Sequence, residues 1–274
     1  MEIIEPNVEY WKQGNDNIAH IARCARVCYA SNKTANAATL VQNLIDKQHL
    51  SMLRHESCYY IIDISNDNYK RILRELNKYK NCPYINFSII DNIIYVSTNK
   101  EFMYEHSNLD YYINNCKVSE DYFFTDCPDK DLFRFTFCVI TQISTSRELN
   151  RVSPNNIAEQ STRYVNFGNK GGIKICKPYW YDSLTKFDKY LCRVYWRWSE
   201  RIYNAFLYRG LKAQDSREFL PLCAATKCVY TYTLKEWKHI IDLRYYGTTG
   251  IPHPNCVIIA KSIKEQLKKL GYDF

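Results

Sequence analysis

Glycine and proline are scarce, eight of each in 274 residues, too few for long flexible linkers. None of the twelve cysteines forms a Cys-x-x-Cys pair. The tightest spacing is Cys24 to Cys28, one helical turn. The close, repeated spacing of zinc ligands is therefore missing, and no metal is expected. No apolar run approaches the roughly 20 residues of a membrane helix, so no membrane contact is expected. The Met1 end carries Glu2 and Glu5 where a secretory signal would have a basic start and an apolar stretch. Together these absences point to a cytoplasmic protein whose cysteines are mostly reduced, buried and small. There is also no block of five or six consecutive basic residues, which argues against nucleic acid as a partner.

What is present suits a sizeable core. Hydrophobic residues make up 46% of the chain and aromatic residues 15%. That is enough for one large core or two closely joined lobes. The chain reads as a single unit over 1-274, with an inserted polar region of loop or short helices around 105-131. The 24 tyrosines, beside abundant Asn, Ile and Lys, are read as compositional bias rather than an aromatic binding surface. A formal net charge of +8 suits anionic ligands.

Apolar spacing predicts helices near 17–29 and 36–48, a strand at 59–64 and a helix through 68–80. A strand from Ile89 to Val96 is broken at Asp91-Asn92. Phe133, Phe135, Phe137 and Val139 alternate with Arg134, Thr136 and Cys138, the period of a half-buried strand. Thr145 to Glu148 reads as a capping box that starts a short helix, which Pro154 stops. Further helices are expected at 184–208, capped by Gly210, and at 215–219. A second capping box at Thr233 opens a helix to about Arg244, and a last helix covers 254–270. Strands alternating with helices give an α/β class.

Between Ser146 and Tyr164, Arg147, Arg151 and Arg163 accompany Glu159 and Ser161. A guanidinium fork suits phosphate, and short hydroxyl donors complete such a site. Residues on either side of a helix-stopping proline can converge on one ligand. An anionic nucleotide site is the expectation, set against the plainer reading of a solvated, salt-bridged loop.

The order of these residues resembles the signature of the flavin-dependent thymidylate synthases of the ThyX type. There Arg-His-Arg is followed seven residues later by Ser-x-Arg-Tyr. Here Arg151-Val152-Ser153 and Ser161-Thr162-Arg163-Tyr164 stand at that spacing. Other blocks are similar in order: Ile21 to Tyr29, His49 to His55, Ser216 to Pro221, Thr233 to His239 with Leu243-Arg244, and His253-Pro254-Asn255.

The resemblance implies a ThyX-like mixed sheet flanked by helices, assembled as a homotetramer. It implies reductive methylation of dUMP to dTMP, with 5,10-methylenetetrahydrofolate, FAD and NADPH. By position, Arg151, Glu159, Ser161, Arg163, Arg217 and Arg244 hold the nucleotide, with Arg244 also activating dUMP. His55, Lys235, His239 and His253 lie near the flavin. No residue is expected to act as a nucleophile, because the flavin carries the hard chemistry.

The chain departs from the pattern at Val152 and Ser153, at Thr233 for Asn, at Lys235 for Arg and at Arg54 for Glu. Two alternatives follow. One is a related enzyme acting on another pyrimidine nucleotide such as dCMP, or transferring hydroxymethyl. The other is a catalytically silent nucleotide-binding relative. Plainer readings stand beside individual residues: His239 as a buried hydrogen-bonded histidine, Arg217 paired with Glu218, and Arg244 paired with Asp242.

Overall fold

The computed structural model describes residues 1–28, 30, 36–152, 154, 156–168 and 171–273. The chain opens with β1 (Glu2–Ile4) and β2 (Asn7–Tyr10), then α1 (Asn17–Cys28) and α2 (Ala37–Asp46). After a 3-10 turn at Leu50–His55 come β3 (Ser57–Asp63), α3 (Tyr69–Lys78), β4 (Ile85–Ile90) and β5 (Ile93–Asn99). The break expected at Asp91-Asn92 is a tight hairpin turn. Both residues have positive φ, 50° and 66°, as a two-residue turn between twisted strands requires.

The polar stretch around 105–131 forms short elements: α4 (Lys100–Glu105), α5 (Ser107–Ile113), β6 (Lys117–Val118) and α6 (Glu120–Asp126). Leu109, Ile113 and Phe123 anchor them in the cores. Next come β7 (Arg134–Gln142), α7 (Ile143–Leu149), β8 (Ile157–Glu159) and β9 (Lys174–Cys176). The chain ends with α8 (Lys186–Tyr208), α9 (Ala213–Ser216), β10 (Ala225–Thr233), α10 (Leu234–Ile241), a π-type turn at Asp242–Tyr246, and α11 (Pro254–Lys269).

The mixture of helices and strands is as the sequence reads, but the strands do not form one mixed sheet. Among the described residues they make two antiparallel four-stranded sheets, β2-β7-β10-β8 and β4-β5-β3-β6, with β1 and β9 as a separate parallel pair. Only β4 and β5 are joined by a hairpin; the other antiparallel neighbours are brought together across long intervening segments.

β7 alternates as expected, yet it is buried on both faces rather than half-buried. Phe135, Phe137 and Val139 pack with Trp237, Ile240 and Ile263 beneath α10 and α11. On the other face, Cys138 meets Cys24 and Val27 of α1.

The capping box expected at Thr145 is not formed. The chain passes directly from β7 into α7, so the helix begins three residues earlier, at Ile143 with Gln142 at the N-cap. Its free N–H groups instead reach carbonyls of a neighbouring segment: Ile143 donates to Ala224 O at 3.0 Å and Ser144 to Leu222 O at 3.1 Å. The box at Thr233 does form, with Thr233 and Glu236 exchanging bonds at 3.2 and 2.7 Å.

Seven of the twelve cysteines are buried and all are free, which fits small core residues. Burial pushes the Cys58 and Cys256 thiols up to about 12. Among the described residues no helix is long and apolar enough to cross a membrane. No cluster of His, Cys, Asp or Glu among them could hold a metal ion.

Candidate active site

The return of the chain from α7 to β8 is fastened by one carboxylate. Glu159 accepts from Ser146 Oγ at 2.7 Å and Thr226 Oγ1 at 3.1 Å through one oxygen. Its other oxygen accepts from Asn150 Nδ2 at 3.0 Å. Tyr230 donates to Asn150 Oδ1 at 2.9 Å, extending the bracket across β10. Both oxygens of Glu159 are thus engaged with protein donors, and its visible role is to lock α7 against β8 and β10.

Ser161 comes directly after this bracket. Its N–H reaches Cys28 O at 2.9 Å, and its Oγ accepts the N–H groups of Arg163 and Tyr164 at 3.1 and 3.2 Å. These bonds close a turn that presents the exposed Arg163 side chain. Arg163 Nε donates to Gln214 of α9 at 3.2 Å, tying the turn to the segment that carries Arg217. Arg217 pairs with Glu218 at 3.6 Å and keeps 43% of its side chain exposed, so this is a weak surface pair. Arg147, Thr162 and Arg217 meet on one cavity walled by Ile143, Leu220 and Pro221.

Arg244 approaches the same helix from its far end. Its Nη2 donates to Glu148 O at 2.7 Å, a carbonyl of the last turn of α7, and its Nε is buried without a partner. No ion pair links it to Asp242 among the described residues. Arg151 is exposed just beyond α7, and Val152 is buried in the main core. Ser153 lies outside the described residues.

The four residues assigned to the flavin are dispersed. Lys235 and His239 are exposed one turn apart on α10, so His239 is not the buried histidine of the plainer reading. His253 caps α11, its Nδ1 accepting from Asn255 N at 3.2 Å.

His55 is fully buried, because the 3-10 turn tucks its last residue between the sheets. Its Nδ1 meets Thr231 Oγ1 at 2.8 Å, which meets Thr136 Oγ1 at 2.8 Å, which meets His20 Nε2 at 3.3 Å. His55 Nε2 has no partner. Burial pushes His55 down to about 3 and His20 down to about 4, with nearby cations adding to both shifts.

Two features escaped sequence reasoning. Arg54 forms an ion pair with the buried Glu101 and lies over the Tyr84 ring at 4.9 Å, which accounts for an arginine at that position. Arg134 is fully buried, with Nε donating to Ser57 Oγ at 3.3 Å and Nη1 unpartnered. Its place on the polar side of an alternating strand suggested exposure, and nothing local signalled the cover by the Leu50–His55 turn and β3.

Comparison with known proteins gives one family match. The model of the family described as thymidylate synthase complementing protein, Thy1, matches residues 131–270. Arg151 through Arg163, Arg217, Lys235, His239, Arg244 and His253 fall inside that range, while the blocks at Ile21–Tyr29 and His49–His55 precede it. Two solved structures of the UMP/dUMP methylase PolB from Streptomyces cacaoi, bound with 5-Br dUMP and 5-Br UMP, are similar over 98% of this chain. Identities are 16% and 14%, coverage of those chains 93% and 92%, and TM-scores 0.48 and 0.47. Among curated proteins none matches. With the family match spanning just over half of its length, the chain belongs to the thymidylate synthase complementing protein family.

Proposed function

We propose that this protein is a nucleotide methyltransferase that reductively methylates dUMP to dTMP. The carbon comes from 5,10-methylenetetrahydrofolate, with FAD as cofactor and NADPH as reductant. The observation that carries this reading is the convergence of Arg147, Thr162 and Arg217 on one cavity inside the family-matched segment.

Arg163 and Arg217 hold the phosphate as charge-assisted donors, with Arg147 behind them and Arg151 at the rim. Ser161 shapes the turn that presents Arg163, and Glu159 positions that turn by locking α7 to β8. Arg244, held by Glu148 O through Nη2, keeps its buried Nε for a pyrimidine carbonyl oxygen and stabilises charge there as C5 gains carbon.

The chain's residues suit a flavin dinucleotide. Lys235 is exposed and makes no ion pair among the described residues, and His239 stands one turn away on the same face. Together they supply donors for a diphosphate, with His253 at the start of α11. His55 is too deeply set to touch a cofactor and acts by positioning the sheet beneath. When bound, the flavin supplies hydride to the transferred carbon.

A homotetramer fits the exposed stripe of Phe187, Leu191, Tyr195, Trp198 and Ile202 along α8, an apolar face that subunit packing would cover. Val152, buried where the family has histidine, favours a second reading in which nucleotide binding persists but the transferred group or base differs.

The test is turnover of the purified protein with FAD, NADPH and methylenetetrahydrofolate, on dUMP and separately on dCMP, read by product mass. Formation of dTMP from dUMP supports the first reading. A hydroxymethylated product, or turnover of dCMP alone, supports the second.

A further inference from the structure

A small polar cavity of about 100 Å³ lies where the segment between β2 and α1 crosses β3, β6 and the start of α6. Gln13, Asn15 and Asn17 form one wall, and Ser57, Lys117 and Glu120 the other. Gln13 fastens the crossing segment to β3. Its Oε1 accepts from Ser57 N at 2.6 Å and its Nε2 donates to Ser57 O at 3.0 Å.

The charges around this cavity pair off, with one left over. Lys12 pairs with Asp121 at 2.7 Å, and Lys117 with the buried Glu56 at 3.2 Å. Asn17 Nδ2 also donates to Glu56, at 3.0 Å. Glu120 makes no ion pair among the described residues. It is only 7% exposed, and the Gly14 N–H reaches its carboxylate, yet Oε2 has no partner. Tyr10, Tyr59 and Tyr272 lie near it, and none of them donates to Oε2. Loss of water pushes this carboxyl up to about 7, with Asp121 adding to the shift and Lys12 and the Gly14 N–H opposing it. A buried carboxylate without a positive partner is costly, and a charged N–H donor is the strongest group that could answer it.

We infer that this cavity is a site for a small ammonium ligand, an amine of a few heavy atoms whose N–H groups bond Glu120 Oε2. Asn15 at the exposed rim offers an amide oxygen to the remaining N–H groups. The volume holds several water-sized groups and is too small for a nucleotide or flavin. With one carboxylate and no second acidic or histidine ligand lining it among the described residues, the cavity suits an amine better than a metal ion. None of its lining residues is among those assigned to dUMP or the flavin.

Equilibrium dialysis of the purified protein against radiolabelled methylammonium, in excess sodium chloride, tests this. At pH 8 methylammonium should bind once per chain and saturate, and dUMP should not displace it. At pH 6 only about a tenth of a carboxyl titrating near 7 is ionised, so binding should be about tenfold weaker. Glu120→Gln, with unchanged circular dichroism, should abolish saturable binding. Tetramethylammonium, which carries the charge but no N–H, should not compete. The pH comparison uses the wild-type protein and stands whatever the variant does. No saturable binding at pH 8, equal binding at both pH values, retained binding in Glu120→Gln, or competition by tetramethylammonium or dUMP would overturn the proposal.

Discussion

Acid should weaken this fold through two buried histidines. His55 and His20 are 0% and 3% exposed, and both are held neutral with folded values of about 3 and about 4. In the unfolded chain each protonates near 6.5. Below 6.5 the unfolded state therefore binds more protons, and stability falls as pH falls through that window. At pH 4.5, about two units below the unfolded value, each histidine removes roughly 2 to 3 kcal/mol relative to neutral pH.

Glu120 works in the opposite direction. Burial raises its carboxyl from 4.5 to about 7, so the folded form keeps a proton that the unfolded chain has lost. Its burden is greatest at and above pH 7, and acidification to 4.5 returns roughly 2 to 3 kcal/mol, about what one histidine removes. The two histidines together outweigh it, so stability should fall on balance between pH 7 and 4.5.

Urea unfolding of wild type, His55→Gln and Glu120→Gln at both pH values, followed by circular dichroism, separates the contributions. His55→Gln should lose roughly 2 to 3 kcal/mol less than wild type on acidification, and Glu120→Gln should lose more than wild type by a similar amount. Parallel pH dependence in all three proteins would refute the claim that burial controls these groups.

Three further outcomes bear on the site. Arg163→Ala and Arg217→Ala should each raise the Kd for dUMP by about 10- to 100-fold in calorimetry, with thermal stability little changed because both side chains are largely exposed. Lys235→Ala should weaken FAD binding by about tenfold in an absorbance titration while dUMP affinity holds. Thr233→Val removes the formed capping box and should lower the urea stability by about 1–2 kcal/mol, with no change in nucleotide affinity.

Much of the fold is legible in the sequence because the signals are local. The helical spacing of Ile18 to Ala25, the Asp91-Asn92 turn and the Thr233 box all act within a few residues, while Tyr29 at the end of the expected helix lies outside the described residues. No element is expected over the residues of β10, although Thr226, Val229, Tyr230 and Tyr232 carry the β-branched and aromatic character of a strand. The failed box at Thr145 shows the limit of local reasoning. Its competitors are Ala224 and Leu222 carbonyls some 80 residues away, which meet the helix end first.

The site divides in the same way. Thr162 and Arg217 line one cavity and Arg163 reaches α9 through Gln214, an arrangement that the order of these residues in the chain does not itself reveal. The burial of His55 depends on how a 3-10 turn lies between two sheets, and no spacing rule records that. The cavity around Glu120 joins β3, β6 and the segment before α1, elements that only the tertiary fold makes neighbours.

The central claim is nucleotide methylation, and carbon transfer tests it most directly. Purified protein is incubated with FAD, NADPH, dUMP and methylenetetrahydrofolate labelled in its methylene carbon, and the nucleotide is analysed by mass spectrometry. The account predicts labelled dTMP, lost when FAD is omitted and strongly reduced in Arg217→Ala. Recovery of unlabelled dUMP from protein that demonstrably binds both dUMP and FAD would contradict it.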